Sequence, residues 1–410
     1  MIYLLSNIIM YTAGAILVYA WLLFPGWMLW QHHKHMRQRT HVAPAAIKPQ
    51  HVSILISAWN EADVIEQRIE NLAALQYPPQ SISVFIGTDG CTDDTAAIVQ
   101  TCCQHAPINI TLCEYQQNRG KASVLVDLVT CAITQQPPEG TVLVFTDANT
   151  FFDTDAISRL IHHLADPHIG GVCGRLVFDQ QEYQPEQSYW SWETYLKEIE
   201  SHFDSCLGAN GAIYAIRPSC FWFEMPPQTI IDDFIIGMKV REAGLRMVFE
   251  PHAIAHEDLP ATKDEWQRRV RIGSGAFQAI AWCRSCLHPR YGRFALFFWS
   301  HKVLRWFTPH LVLFLLCAAC SALLAPAMPS SGMTIISFGL LGGSFAIALL
   351  ACIYQILPVS SAPGWYQYLG RLHHFVLMQA ALFMGFIRFC RGNLSGQWTR
   401  TPRNPKRSTT

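Results

Sequence analysis

A chain of 410 residues with 50% hydrophobic residues, 15% charged residues and a formal net charge of zero is too apolar for an ordinary soluble enzyme, yet long enough to include one sizeable folded domain. The zero hides a partition: all 30 Asp and Glu lie between Glu61 and Glu265, together with only 11 of the 30 Lys and Arg. The acidic middle reads as a cytoplasmic domain and the carboxylate-free flanks as its membrane mounting, so their basicity calls for lipid and not for nucleic acid.

In chain order, Ile8 to Trp30 is a run of 23 uncharged positions. That is enough to cross a hydrocarbon core of about 30 Å at about 1.5 Å per residue. The basic cluster Lys34 to Arg39 follows the run instead of preceding it, which marks an anchor and not a signal peptide. His51 to Trp59 alternates and is rich in β-branched residues, the pattern of a strand, and Asn60-Glu61 opens a helical periodicity through Leu75. The pattern repeats with strands at Ser83–Gly87 and Ile108–Tyr115, helices at Thr92–Cys102 and Lys121–Thr134, and a continuous apolar strand at Thr141–Thr146. Four β-α units in sequence predict an open, doubly wound α/β sheet.

Ligands of such sheets bind beyond the carboxyl ends of the strands. Those ends carry Asn60-Glu61, Asp89-Gly90 and Asp147-Ala148-Asn149, three polar clusters on one predicted edge. Each alone reads as a turn or helix cap; together they read as a site. Asp147-x-Asn149 offers two oxygen ligands after a buried strand, the kind of donor that holds Mg²⁺ or Mn²⁺ against a diphosphate.

Toward the C-terminus, Trp266 to Arg293 is basic and amphipathic and predicts helices lying at the headgroups. No local acid is evident for the arginines from Arg268 to Arg271, which leaves them for phosphates. Trp306 through Gly370 contains no charged residue. Breaks near Pro326–Gly332 and Pro358–Gly364 predict spans at about 308–328 and 333–357. A third candidate, Leu372 to Ile387, has 16 uncharged residues and is short for a span.

Five motifs carry a family resemblance: Ser57-Ala58-Trp59-Asn60-Glu61, Thr88-Asp89-Gly90-Cys91-Thr92-Asp93, Arg119-Gly120-Lys121-Ala122, Thr146-Asp147-Ala148-Asn149 and Ile231-Asp232-Asp233-Phe234. Their order and spacing resemble those of membrane-integrated family 2 glycosyltransferases, the branch of hyaluronan, chitin-oligosaccharide, poly-N-acetylglucosamine and cellulose synthases. The resemblance implies a GT-A type domain, an α/β fold with a mostly parallel sheet, flanked by transmembrane and interfacial helices. It implies that Asp89 contacts the nucleotide base with Asn60 and Glu61 near it, that Lys121 approaches the diphosphate, and that Asp147 and Asn149 hold the metal. It further implies that Asp233 is the general base, with Asp232 capping or shaping the site. Processive members carry Q-x-x-R-W on an interfacial helix; here Arg268-x-x-Arg271-Ile272 keeps the arginine and lacks the Gln and Trp. Arg268 and Arg271 are then candidates for holding the leaving diphosphate.

The expected organisation is an anchor and basic linker (1–46), a catalytic domain (47–262), interfacial helices (263–305), two or three spans (306–392) and a basic tail (393–410). The expected protein is an inner-membrane, multi-pass transferase that moves sugar from a nucleotide-sugar donor, a UDP-sugar, to a glycan or lipid-linked acceptor. Polysaccharide-export proteins are possible partners. Processive synthesis, addition of a single sugar and non-catalytic nucleotide-sugar binding remain open as alternatives.

Overall fold

The computed structural model describes residues 2–36, 50–178, 185–258, 265–324, 331–356, 364–392 and 394–396. Most of the basic linker and tail therefore lies outside the described residues. The chain opens with one continuous helical run: α1 (Ile2–Val18), a π-turn at Tyr19–Leu23 and α2 (Phe24–Met36). The π-turn sits just before Pro25, which has no N–H to return to the preceding turn.

The acidic middle of the chain alternates β1 (His51–Ala58), α3 (Ile65–Ala73), β2 (Ile82–Asp89), α4 (Thr95–His105), β3 (Asn109–Tyr115), α5 (Lys121–Gln135) and β4 (Thr141–Asp147). It continues with β5 (Phe151–Phe152), α6 (Ala156–His163), β6 (Ile169–Phe178), α7 (Pro185–Phe203), β7 (Tyr214–Ile216), α8 (Asp232–Glu242) and β8 (Arg246–Glu257). These form an eight-stranded sheet of order β3-β2-β1-β4-β7-β6-β8-β5. The β3-β2-β1-β4 half is parallel, as the alternating pattern predicts. The other half is mixed: β7 runs antiparallel to both β4 and β6, while β6 and β8 are parallel. Three-residue β7 is too short to leave a periodicity in the sequence.

Period-two alternation puts Val52, Ile54 and Ile56 of β1 on one face, against Ile65, Ile69 and Leu72 of α3. Leu55 of β1 joins Phe85, Leu143 and Phe145 on the other face, under Leu125 and Leu128 of α5 and Ile236 of α8. Both faces are thus covered, and the edge at the carboxyl ends of the parallel strands stays open for a ligand. The first two helices start later than the sequence pattern predicts. Asn60 adopts a left-handed conformation, φ 56°, that turns the chain before α3. Asp93 Oδ1 accepts the Thr95 N–H at 3.1 Å and so starts α4 at Thr95.

Beyond the sheet come α9 (Glu265–Trp282), α10 (Arg293–Phe297), a π-turn at Phe298–Val303, α11 (Leu304–Trp306), α12 (Thr308–Leu324), α13 (Ser331–Ile356) and α14 (Gly364–Cys390). The third C-terminal helix is longer than its uncharged stretch: α14 has 27 residues and takes in Arg371 and Arg388 near its ends. Among the described residues three helices are long and apolar enough to cross a membrane, Tyr3–Lys34, Gly332–Tyr354 and Tyr366–Cys390. A fourth candidate joins Arg293–Trp306 to Thr308–Leu324 through a bend of 58°.

The amphipathic α9 packs along α14, and the contact is backbone on backbone. A Cβ added at Gly385 would lie 2.6 Å from Gly273 C and Ser274 N, and one at Gly273 would lie 3.0 Å from Ala381 O. Small residues are what let helices approach so closely. Gly385→Ala should therefore destabilise the protein by an amount at or above the upper end of the about 1–3 kcal/mol usual for overpacking. Gly339→Ala in α13, where an added Cβ meets nothing within 4 Å, should not. Thermal unfolding of the detergent-solubilised protein compares the two; equal melting temperatures would refute the tight crossing.

Candidate active site

The site is assembled from loops at the carboxyl edge of the sheet. After β1, the Asn60 side chain holds the next loop: its Oδ1 accepts the Thr92 N–H at 2.8 Å and its Nδ2 donates to Thr92 Oγ1 at 3.1 Å. The Glu61 N–H donates to Thr95 Oγ1 at 2.8 Å, and the Glu61 side chain is buried. Asn60 and Glu61 thus sit where the sequence places them, beside the β2–α4 loop.

Asp89, at the end of β2, is fully buried. Its Oδ1 accepts the Arg119 N–H and its Oδ2 the Gly120 N–H, each at 2.8 Å. Both oxygens are therefore engaged with backbone in the turn that begins α5. Such charge-assisted bonds contribute roughly 1.5–3 kcal/mol each. The arrangement gives Asp89 a task the resemblance does not imply: it fixes Gly120, and hence the direction in which the next residue, Lys121, leaves the helix.

Lys121 reaches across to β4. Its Nζ donates to Asp147 Oδ1 at 2.6 Å and lies 3.6 Å from Asp232 Oδ2, an ion pair too long for a hydrogen bond. Burial works against the ammonium charge, but Asp147 and then Asp232 outweigh it and raise the lysine pKa. Asp232 and Asp233 open α8, where the helix N-terminus favours negative charge. Burial nevertheless raises the pKa of Asp232, against the pull of Lys121. Asp233 is raised to about 6, by burial first and by the neighbouring Asp232 second.

Gly211 explains how these groups share one space. A Cβ built on it would lie 3.2 Å from Asp147 Oδ2, 3.7 Å from Asp233 Oδ2 and 3.7 Å from Lys121 Nζ. The missing side chain leaves a cradle walled by two carboxylates and an ammonium. Among the described residues no cluster of three or more His, Cys, Asp or Glu is placed to hold a metal unaided. The cradle still suits a hard cation, because Mg²⁺-type sites commonly take one or two carboxylates and complete their shell with substrate phosphate and water. Asp147 Oδ2 faces the cradle while Oδ1 is held by Lys121. Asn149 is partly exposed in the turn after β4, two residues along.

The two arginines of α9 part company. Arg271 faces the site: it interacts with Asp232, its Nε is buried without a hydrogen-bond partner, and burial lowers its pKa. Arg268 pairs with Glu265 at 2.9 Å, and Arg269 bonds to the other oxygen of the same carboxylate. The expectation that these arginines lack local acids is thus corrected, since one helical turn brings Glu265 within reach of both. Upstream on α7, the Trp190 ring packs against Phe178, and Glu193 is held by Lys302 at 2.5 Å and Arg305 at 3.0 Å.

Two residues at the site escaped the sequence reading. Arg68, fully buried, donates to Thr146 Oγ1 at 3.1 Å and stacks on Phe152; burial lowers its pKa to about 9 against the pull of Glu257 and Asp147. Its signal was present: at helical spacing Arg68 falls on the same face as Ile65, Ile69 and Leu72. Tyr214 stacks flat on Phe145 at 4.8 Å, and its buried hydroxyl has no hydrogen-bond partner. Burial first and then Asp232, Asp233 and Asp147 raise its pKa.

Residues 53–215 match the sequence profile described as Glycosyl transferase family 2. The chain carries a family 2 glycosyltransferase domain. It is similar to the poly-β-1,6-N-acetyl-D-glucosamine synthases of Staphylococcus aureus strain MSSA476, 25% identical over 240 residues, and of Staphylococcus epidermidis strain ATCC 35984, 23% identical over 240 residues. Each match covers 56% of this chain and 55% of the synthase, so the chain spans about half the length of the curated relatives it matches. Among solved structures, the mannosyltransferase PcManGT from Pyrobaculum calidifontis, in complex with GDP-Man and Mn²⁺, superposes with a TM-score of 0.67 at 20% identity, over 95% of this chain and 99% of that one. The fold is of the GT-A type.

Asp89→Ala tests the part assigned to that carboxylate. It should orphan two N–H groups and destabilise the domain by about 1–3 kcal/mol for each. Nucleotide affinity should fall in parallel, and Asp89→Asn should recover part of both. A melting temperature equal to wild type would mean that the two backbone bonds do not matter.

Proposed function

We propose that this protein is an inverting membrane glycosyltransferase that moves a sugar from a UDP-sugar donor to a glycan or lipid-linked acceptor in surface polysaccharide synthesis. The observation that carries the reading is the convergence of Lys121, Asp147 and Asp233 on the space left by Gly211, with Asp232 paired to Lys121. The chemistry follows from the charges. Asp233 Oδ2 takes the proton of the acceptor hydroxyl while that oxygen attacks the anomeric carbon. The bond from the anomeric carbon to the diphosphate oxygen breaks, and the departing negative charge falls to Lys121 and Arg271. A Mg²⁺ or Mn²⁺ ion, held by Asp147 with Asn149, would neutralise the same diphosphate charge. Mn²⁺ in the PcManGT complex supports a divalent ion of this kind.

Asp233 suits the base, since a pKa near 6 leaves it ionised at neutral pH and more basic than an ordinary carboxylate. Asp232, drawn toward Lys121 and Arg271, keeps the site's charges in register. The long apolar helices support a multi-pass protein of the inner membrane, and the basic residues after the first helix support a cytoplasmic catalytic domain. Similarity to poly-N-acetylglucosamine synthases supports a hexosamine donor and a polymeric product. One observation favours a second reading, addition of a single sugar: Ile272 follows Arg271 where processive members place Trp.

Membranes supplied with radiolabelled UDP-sugars and divalent ion should release UDP and label a glycan or lipid fraction. Product length separates polymer from single addition. Asp233→Asn should lower the rate by about 10²–10⁴-fold with donor binding retained, the range expected for losing a general base. Asp147→Ala should abolish the response to Mg²⁺ or Mn²⁺. Turnover at the wild-type rate in both variants would sink the reading.

A pH profile tests the base separately. The required form is the ionised one, so the rate should rise about tenfold per pH unit up to about 6 and level off above it. A profile flat from pH 4.5 to 7 would remove Asp233 from the role.

A further inference from the structure

A cavity of about 260 Å³ lies away from the Gly211 cradle, where the membrane helices meet the catalytic domain. Its walls come from Trp21 in the first helix, Trp192 and Glu193 of α7, the 301–306 segment and one side of α14. Three cations line it: Lys302, Arg305 and Arg371. The lining includes a single carboxylate, Glu193, which Lys302, Arg305 and His301 already surround; Glu200 behind the wall is bonded to the other nitrogen of His301. The cavity therefore has positive charge in excess of its own acid and suits an anion.

The rest of the wall is apolar and aromatic. Arg305 stacks on the Trp21 ring at 4.4 Å, and Trp21 meets Phe375 of α14 edge to face at 5.2 Å. A soluble anion has no use for such walls, whereas an amphiphile does. Trp21 and Phe375 both belong to helices able to cross a membrane, Tyr3–Lys34 and Tyr366–Cys390, so an occupant can arrive from the bilayer. The Gln379 amide oxygen, also on the wall, is buried without a hydrogen-bond partner and leaves an acceptor for a ligand hydroxyl. One wall residue links the cavity to the site: the Trp306 ring lies 5.6 Å from that of Phe234, the residue after Asp233.

We propose that this cavity binds the phosphate-bearing headgroup of a membrane lipid. Lys302, Arg305 and Arg371 take the phosphate, and the Trp21–Phe375 pair lies against the first part of the hydrocarbon chain. Basic pockets between membrane helices on the cytoplasmic side are suited to anionic headgroups, and guanidinium groups are suited to phosphate geometry. The binding does not depend on the transfer reaction, so it is testable with no sugar donor present.

The full-length protein, delipidated in detergent, is titrated with polyprenyl monophosphate, phosphatidylglycerol, uncharged polyprenol or inorganic phosphate, and bound ligand is counted by native mass spectrometry. One equivalent of a phosphate-bearing lipid should bind saturably. Arg371→Glu, at an exposed position, should weaken it at least tenfold, and Arg371→Lys should stay within about threefold of wild type. Lys302→Gln should show the same direction of loss and serves if Arg371→Glu does not fold. Tighter binding of polyprenyl monophosphate than of phosphatidylglycerol would identify the occupant as a lipid-linked acceptor, and equal binding would identify it as a bilayer phospholipid; both uphold a headgroup site. Polyprenol binding as tightly as its phosphate, unchanged affinity in the charge variants, or displacement of lipid by equimolar inorganic phosphate would overturn it. Loss of transferase activity in Asp233→Asn with lipid binding intact keeps this inference apart from the catalytic reading.

Discussion

The contact on which the rest of the architecture turns is that of Lys121 Nζ with Asp147 and Asp232. Three carboxylates and Tyr214 crowd the end of the sheet, and bringing such charge out of water is unfavourable unless counter-charge is supplied close by. Lys121 supplies it from α5, Arg271 from α9 and Arg68 from beneath, so three helices distant in sequence converge on one edge. Removing one cation would leave buried negative charge uncompensated. The strain shows in Asp233, whose proton is held more tightly than that of an ordinary aspartate. A group so placed is more basic than an ordinary carboxylate, which suits a proton acceptor.

The mixed half of the sheet serves the same edge. Antiparallel β7 brings the Gly208–Gly211 loop back beside β4, and α8 begins where that loop can approach Asp233. The parallel half supplies Asp147 and, through Asp89, the aim of Lys121. Neither half contains the complete constellation.

The parallel half was legible because its strands are apolar runs bounded by turn residues, and the structure departs from those bounds mainly at helix starts. Asn60 and Asp93 act there through backbone geometry that periodicity does not register. The mixed half was not legible, because a strand as short as Tyr214–Ile216 is defined by its partners and not by its own pattern. At the site, the strand ends placed Asn60, Asp89 and Asp147 on one edge and the family resemblance added Lys121, Asp232 and Asp233, but neither could show which way an arginine turns. Arg268 and Arg271 are three residues apart on one helix, yet only Arg271 has Asp232 before it, while Glu265 captures Arg268. Arg68 was readable as a charge on an apolar face. The hidden part was its partner, Thr146, 78 positions along the chain.

The Gly273–Gly385 crossing has a mechanical meaning. Helices separated by side chains can slide or rock as rotamers adjust, but backbone resting on backbone has no such slack. Arg271 lies about half a turn before Gly273 on one partner of that crossing, and Arg371 lies about two turns into the other. Any tilt of α14 would therefore be carried to α9 as by a rigid lever, and the arginine beside the carboxylates would move with it.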